Sequence, residues 1–217
     1  MEIEPKYTAD NPSKRWRGLV ALYRQMHEEG DGVKSGDKLF VGKPRPALIP
    51  PLKALIKSYQ AKTLLDYGSG KGMQWQLDFN LGSLWETTET RLKSYLELEE
   101  IRCYDPAFQP FSKLPEEFFD GVICLDVLEH CPEQDIAWIL DQIFSYARKF
   151  VLANIASFPA KKHLPNGENA HCIIKPIEWW RELISETASN HPLVRYRIIC
   201  AVLEGSGDSL KEIVLEG

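Results

Sequence analysis

The sequence has no stretch that could cross a bilayer: its longest unbroken apolar run is Ile198–Leu203, far short of the roughly 20 residues a helix needs. Met1–Arg17 has no apolar core, so no signal peptide is expected. The five cysteines are an odd number and include no C-x-x-C, a pattern that predicts reduced thiols and a cytoplasmic protein. Positive charge is not in excess. Lys and Arg total 26 against 31 Asp and Glu, the net charge is −5, and no electrostatic footprint for nucleic acid results. Internal repeats and low-complexity tracts are also missing. Two phosphate-binding patterns are absent as well. The dinucleotide fingerprint G-x-G-x-x-G would need glycine where Met73 stands, and G-x-x-x-x-G-K-[S/T] occurs nowhere.

What remains is an ordinary globular composition, 217 residues with 44% apolar and 26% charged, enough for one α/β domain with elaborations. Its centre is Thr63-Leu64-Leu65-Asp66-Tyr67-Gly68-Ser69-Gly70-Lys71-Gly72, an apolar run that passes through an acid into three alternate glycines. A buried parallel strand hands over to a helix in this way. The helix is expected to point free N–H groups and a positive dipole at a crevice beyond the strand ends. An acid two residues before the first glycine suits a cationic ligand and would repel a pyrophosphate.

This D-x-G-x-G-x-G resembles motif I of the class I S-adenosylmethionine (SAM) methyltransferases. Ile101-Arg102-Cys103-Tyr104-Asp105-Pro106 reads as a second strand ending in an acid. Such an acid can take both ribose hydroxyls in charge-assisted hydrogen bonds. It follows Gly68 by 37 residues instead of about 20, which implies an insertion within 78–100. Only fourteen residues separate Asp105 from Asp120, three of them prolines. A helix–strand–helix unit needs roughly 30, so the usual third strand is predicted to be reduced or missing. Adenine would then rest on backbone groups near Phe108–Phe111. Phe119–Asp126 reads as a central strand, apolar on both faces. It runs into Val127-Leu128-Glu129-His130, and the F-D-x-V-I-x-x-D-V-L-E-H segment resembles motif IV of methyltransferases acting on small molecules and carbohydrates.

The remaining elements are predicted from periodicity and turn chemistry. Ser13 caps a helix to about Glu29 that Gly30 stops, with Trp16, Leu19, Val20, Tyr23 and Met26 on one face. Residues 30–46 are loop with Leu39-Phe40-Val41 as an anchor, and a second helix spans 50–60 behind Pro50 and Pro51. A crossover helix is expected over 71–80, while 81–100 is ambiguous between strand and helix. Further on come a helix from Glu133 to about Arg148 and a strand over Phe150–Ile155. A loop at 156–175 turned by Asn166-Gly167 leads to a helix from Pro176. Two strands, Leu193–Leu203 and Leu210–Leu215, close the chain around Gly205-Ser206-Gly207-Asp208.

The predicted fold is therefore α/β, a Rossmann-like doubly wound sheet of the class I methyltransferase type with a C-terminal antiparallel hairpin. Residues 1–61 would form a helical cap or lid and 62–217 the SAM-binding domain. The segments around Tyr104-Asp105-Pro106, Asp126–His130, Leu164–His171 and Trp179-Trp180 look like a group of small phage and bacterial methyltransferase-domain proteins of unassigned substrate. The resemblance implies SAM held by Asp66, Gly68, Ser69, Gly70, Gly72, Asp105, Pro106, Asp126 and Val127. It also implies methyl transfer to a small-molecule or sugar acceptor, through oxygen, with no part for nucleic acid or membrane. A hydroxyl nucleophile needs a base; the candidates are His171 first, then His130 and Glu129, with a histidine bonded only within its own loop as the alternative for each. A non-catalytic SAM-binding regulatory module is the second functional reading, and a dinucleotide oxidoreductase is disfavoured by Met73. No metal is expected. H-x-x-x-H and C-x-x-C spacings are missing, and each His-Cys pair readily offers one ligand. A divalent ion on Asp126, Glu129 and His171 is the alternative set aside.

Overall fold

The computed structural model describes residues 7–83, 85, 87–204 and 209–217. Six strands form one sheet: β1 (Thr63–Tyr67), β2 (Glu100–Tyr104), β3 (Phe119–Leu125), β4 (Ala147–Ala156), β5 (Arg195–Leu203) and β6 (Leu210–Glu216). Their spatial order is β2-β1-β3-β4-β5-β6, parallel throughout except for β6, which pairs antiparallel with β5 at the edge. This α/β arrangement is compatible with a Rossmann-like fold. From β1 the chain steps outward to β2 and returns to the other side of β1 as β3. The carboxyl ends of β1 and β3 therefore flank the point where the winding reverses, where a crevice opens in such sheets.

Strand periodicity divides the core between two faces. Val122 and Cys124 of β3 point toward α5 (Ile136–Tyr146) and α6 (Ile177–Ser189), where Ile139, Ile143, Phe144, Trp180 and Ile184 are buried. Ile123 points the other way, onto Leu52 and Ile56 of α2 (Ile49–Ser58) and onto Phe150. Each such side chain contributes roughly 1.5–3 kcal/mol by leaving water. A third, smaller cluster holds α1 (Lys14–Glu29) in place through Leu19, Met26, Leu39, Leu164 and Ala170. Ser13 caps α1, accepting from the Trp16 amide at 2.9 Å, and Gly30 ends it. No helix of the described residues is long and apolar enough to cross a membrane.

Between β2 and β3 the chain makes one 3-10 turn, Gln109–Phe111, and no strand, as the short interval predicts. Several boundaries differ from expectation. The crossover helix is a single turn, α3 (Met73–Gln76), because the guanidinium of Arg91 takes the Gln76 carbonyl and pairs with Asp78. The ambiguous stretch supplies only α4 (Leu92–Tyr95). α5 begins at Ile136 after a 3-10 turn over Glu133–Asp135, since the Asp135 carboxylate is drawn to Ser13 and Trp138. β4 starts at Ala147, ahead of the predicted Phe150, directly where α5 ends. The expected turn at 205–208 lies outside the described residues.

Candidate functional site

A cavity of about 510 Å³ lies at the carboxyl ends of β1 and β3, within the usual range for small-molecule sites. Its floor and walls include Asp66, Gly68, Ser69, Gly70, Asp105, Pro106, Asp126, Val127 and His130. Residues that the sequence singled out at widely separated positions thus meet around one space. α1 and the loop after it form the opposite side, through Trp16, Leu19, Tyr23, Phe40 and Arg45. Gly72, Glu129 and His171 are not among the lining residues.

Asp66 is 2% exposed, and its Oδ2 accepts from Gln74 Nε2 at 2.9 Å and Trp75 Nε1 at 2.7 Å. Burial pushes its pKa up to about 6, against the pull of those two bonds. Asp105 receives the Gly70 amide on Oδ2 and the Ala107 amide on Oδ1, both at 2.9 Å. Burial raises its pKa also, and those amides oppose the rise. Each carboxylate oxygen has a second lone pair, so Asp105 shapes the glycine turn while retaining capacity to accept from a ligand. Asp126 has φ +54°, the left-handed region that a non-glycine residue enters at a cost of order 1–3 kcal/mol. Asn154 holds it there with a bond in each direction between its side-chain amide and Asp126, and Arg45 pairs with the carboxylate.

The glycine turn departs from expectation in one respect: its amides are already used. Gly68 and Ser69 donate to the Tyr104 carbonyl at 2.7 and 3.1 Å, and Gly70 donates to Asp105. Lys71, Met73 and Gln74 donate to the carbonyls of Phe40, Val41 and Gly42 at 2.7, 2.9 and 2.6 Å. The loop from the cap thus occupies the N–H groups predicted to face a ligand, and a one-turn helix has little dipole to offer. Lys71 reinforces that docking by donating its ammonium to the Gly36 and Leu39 carbonyls at 2.8 and 3.0 Å. Gly70 has φ +56°, and a Cβ there would strike the Phe40 carbonyl. Gly72 is also left-handed, but its bare face abuts Cys103 Sγ, so packing explains it without a ligand.

Phe108 and Phe111, the expected adenine neighbourhood, lie outside the cavity lining. Phe108 packs instead against His27 in a tilted arrangement, with ring centroids 5.1 Å apart. His27 is buried against Lys71, and burial followed by that ammonium lowers its pKa to about 4.

The three candidate bases lie beside one another, and of them His130 lines the cavity. Glu129 is 0% exposed; its Oε1 accepts the Ala156 amide at 3.0 Å, and its Oε2 has no hydrogen-bond partner among the described residues. Burial raises its pKa to about 7. His130 Nδ1 lies 2.8 Å from both the Ala170 carbonyl and the Tyr23 hydroxyl, and burial, helped by His171, lowers its pKa to about 4. His171 Nδ1 lies 2.5 Å from the Phe158 carbonyl, and its ring meets that of His130 edge-on with centroids 4.8 Å apart. The predicted turn at Asn166-Gly167 is present, with the Gly167 amide on the Leu164 carbonyl at 2.8 Å.

Sequence reading missed Arg45, Gln74, Trp75, Asn154 and Asp135. Asp135 is buried and fastens α1 over the cavity through the Ser13 amide at 2.9 Å and hydroxyl at 2.5 Å. Gln74 and Trp75 closely follow the last glycine, eight and nine residues after Asp66, and were the most accessible of these to sequence reasoning. No protein-family model matches the chain, and a search of curated proteins returned no match either.

Proposed function

We propose that the protein is a SAM-dependent methyltransferase acting on a hydroxyl of a small molecule or sugar. The observation that carries this reading is the convergence of Asp66, the Gly68–Gly70 turn, Asp105 and Asp126 on one cavity at the switch point of the sheet. Three acidic side chains around a turn with no spare amide suit a ligand bearing a sulfonium and an ammonium. They do not suit a pyrophosphate, which needs free N–H groups. In this reading the ribose hydroxyls donate to Asp105 and the ammonium approaches Asp66. Lys43, on the cap side, is available to the carboxylate. Trp16, Tyr23 and Phe40 offer an aromatic wall to an acceptor.

Bound there, SAM would supply its methyl group to an oxygen lone pair of the acceptor, the C–S electron pair staying on sulfur and the hydroxyl proton departing. The protein's part is alignment and exclusion of water, for which the docked cap is suited. His130, which lines the cavity, is placed to assist loss of the proton, with Glu129 and His171 packed behind it.

Calorimetric titration with SAM and separately with NAD tests the ligand: binding of SAM and not of NAD is expected. Formation of S-adenosylhomocysteine with a cytosolic small-molecule extract tests the reaction. Failure to bind SAM would refute the proposal, and binding without turnover would leave a SAM-binding regulatory module.

A further inference from the structure

We propose that Glu129, His130 and His171 form a binding site for a divalent first-row transition-metal ion. One ligand atom from each, a carboxylate oxygen and a ring nitrogen from either histidine, lie within 4.8 Å of one another. Sequence spacing pointed away from a metal, and the alternative it set aside used Asp126. In the fold Asp126 is engaged by Asn154 and Arg45, and His130 stands in its stead.

Glu129 supplies the first reason. It is wholly buried, one oxygen is satisfied by the Ala156 amide, and the other has no partner among the described residues. An unpaired carboxylate oxygen taken out of water is costly to leave so, and a cation between it and the two imidazoles would remove that cost. The histidines supply the second. A carbonyl can only accept, so the contacts of His130 Nδ1 with Ala170 and of His171 Nδ1 with Phe158 put the ring proton on Nδ1 in both. Both lone pairs then stand on Nε2. A ring N–H anchored to a backbone carbonyl, leaving the other nitrogen bare, is the usual support of a metal-ligating histidine. The third is backbone anchorage: the Glu129 carbonyl accepts the amides of Cys172 and Ile173 at 2.6 and 3.1 Å, which ties the His171 loop to the turn bearing the other two ligands.

Two imidazoles and one carboxylate favour Mn²⁺, Fe²⁺, Co²⁺ or Zn²⁺ over Mg²⁺ or Ca²⁺, which prefer all-oxygen sites. Ligand distances of roughly 2.1 Å would require the triad to draw together by about an ångström. Three protein ligands leave coordination positions for water or for an oxygen of a molecule in the cavity, which His130 lines. The site stands whether or not the cavity takes SAM.

The test is equilibrium dialysis of the metal-stripped full chain against Mn²⁺, Co²⁺ and Zn²⁺, with loss of the free Mn²⁺ electron-spin resonance as a second readout. One ion per chain is expected, with affinity falling about tenfold or more in Glu129→Gln and in His171→Ala. His163→Ala, an exposed histidine of the same loop, should bind as the parent does. If Glu129→Gln fails to fold, His171→Ala decides alone. A parent protein that leaves all three ions free at millimolar concentration overturns the proposal, as does undiminished binding by folded His171→Ala or an equal loss in His163→Ala. SAM titration of the metal-stripped chain is read separately, so failure of the cofactor reading is not mistaken for failure of the metal site.

Discussion

Asp66 offers the most direct test of the site's electrostatics. The side chain is wholly enclosed at the end of β1, yet among the described residues only Gln74 and Trp75 donate to it, both on one oxygen. Two neutral donors do not offset the loss of water, and the carboxyl titrates at about 6 in place of 3.8. That difference is worth about 3 kcal/mol between the two protonation states. The folded pKa lies above the unfolded one, so the folded state binds the proton more tightly. Stability from this group is fully present below pH 4 and is lost as pH rises through about 6. Asp66→Asn keeps the shape and an acceptor oxygen but cannot ionise. Urea denaturation of both proteins from pH 4 to 8 should show the parent losing about 3 kcal/mol relative to the variant. Taking the difference between the two cancels other titrating groups. Ligand binding provides a second arm. If an ammonium is received beside Asp66, SAM affinity should rise as pH passes about 6 and then level off, and the variant should lack that rise. Parallel stability profiles would refute the buried ionisation. A pH-independent affinity would remove Asp66 from ligand binding.

Asp105→Asn loses the charge and one bond to the glycine turn, so SAM should bind about 1.5–3 kcal/mol more weakly by calorimetry; unchanged affinity would show that the ribose is held elsewhere. His27, with its pKa lowered from 6.5 to about 4, should cost the folded state about 3 kcal/mol as pH falls across that interval. His27→Gln should therefore flatten the acid limb of the stability curve, leaving the share due to His130, and an equally steep limb would contradict the assignment. Gly70→Ala meets both the left-handed backbone and the Phe40 carbonyl, and should cost about 1–3 kcal/mol and speed proteolytic cleavage within 30–46; protection equal to the parent's would show that the loop is not held there. His171→Ala should leave SAM affinity intact and lower turnover by about 10²–10⁴-fold, whereas loss of stability with full turnover per folded molecule would make the residue structural.

Much of this was legible in sequence because it is written in local chemistry. The Ser13 cap, the 3.6-residue spacing of α1, the prolines opening α2 and the apolar run of β3 each declare themselves within a few residues. The missing strand followed from chain length alone, and the acids flanking the glycine turn identified three walls of the cavity. What escaped was non-local or made by the backbone. The carbonyls of Phe40, Val41 and Gly42 have no side-chain signature, so nothing in 30–46 announced that they would satisfy the amides after Gly70. Ser13 and Asp135 stand 122 residues apart. α3 was predicted too long because helical propensity across 71–80 is overridden by Arg91. Glu129, His130 and His171 were singled out separately as bases, and only the fold shows the three beside one another.

The docking of the cap also sets an order of assembly. α1 is synthesised ahead of the sheet, and Asp135, His130 and Glu168, which its Ser13, Tyr23 and Arg15 engage, are made more than a hundred residues later. Contacts of such sequence separation form late, after the closure of shorter loops has been won back in packing. The sheet can therefore condense around β1, β3 and β4 while the first helix still has no partner for its apolar face. The same asymmetry governs reversal. The roof rests on a small cluster and a few backbone bonds, and the sheet on two large cores. A partial opening that frees α1 and the following loop would uncover the cavity while the strands stay paired. Amide exchange at Lys71, Met73 and Gln74 would report it, since those protons are guarded by the roof alone.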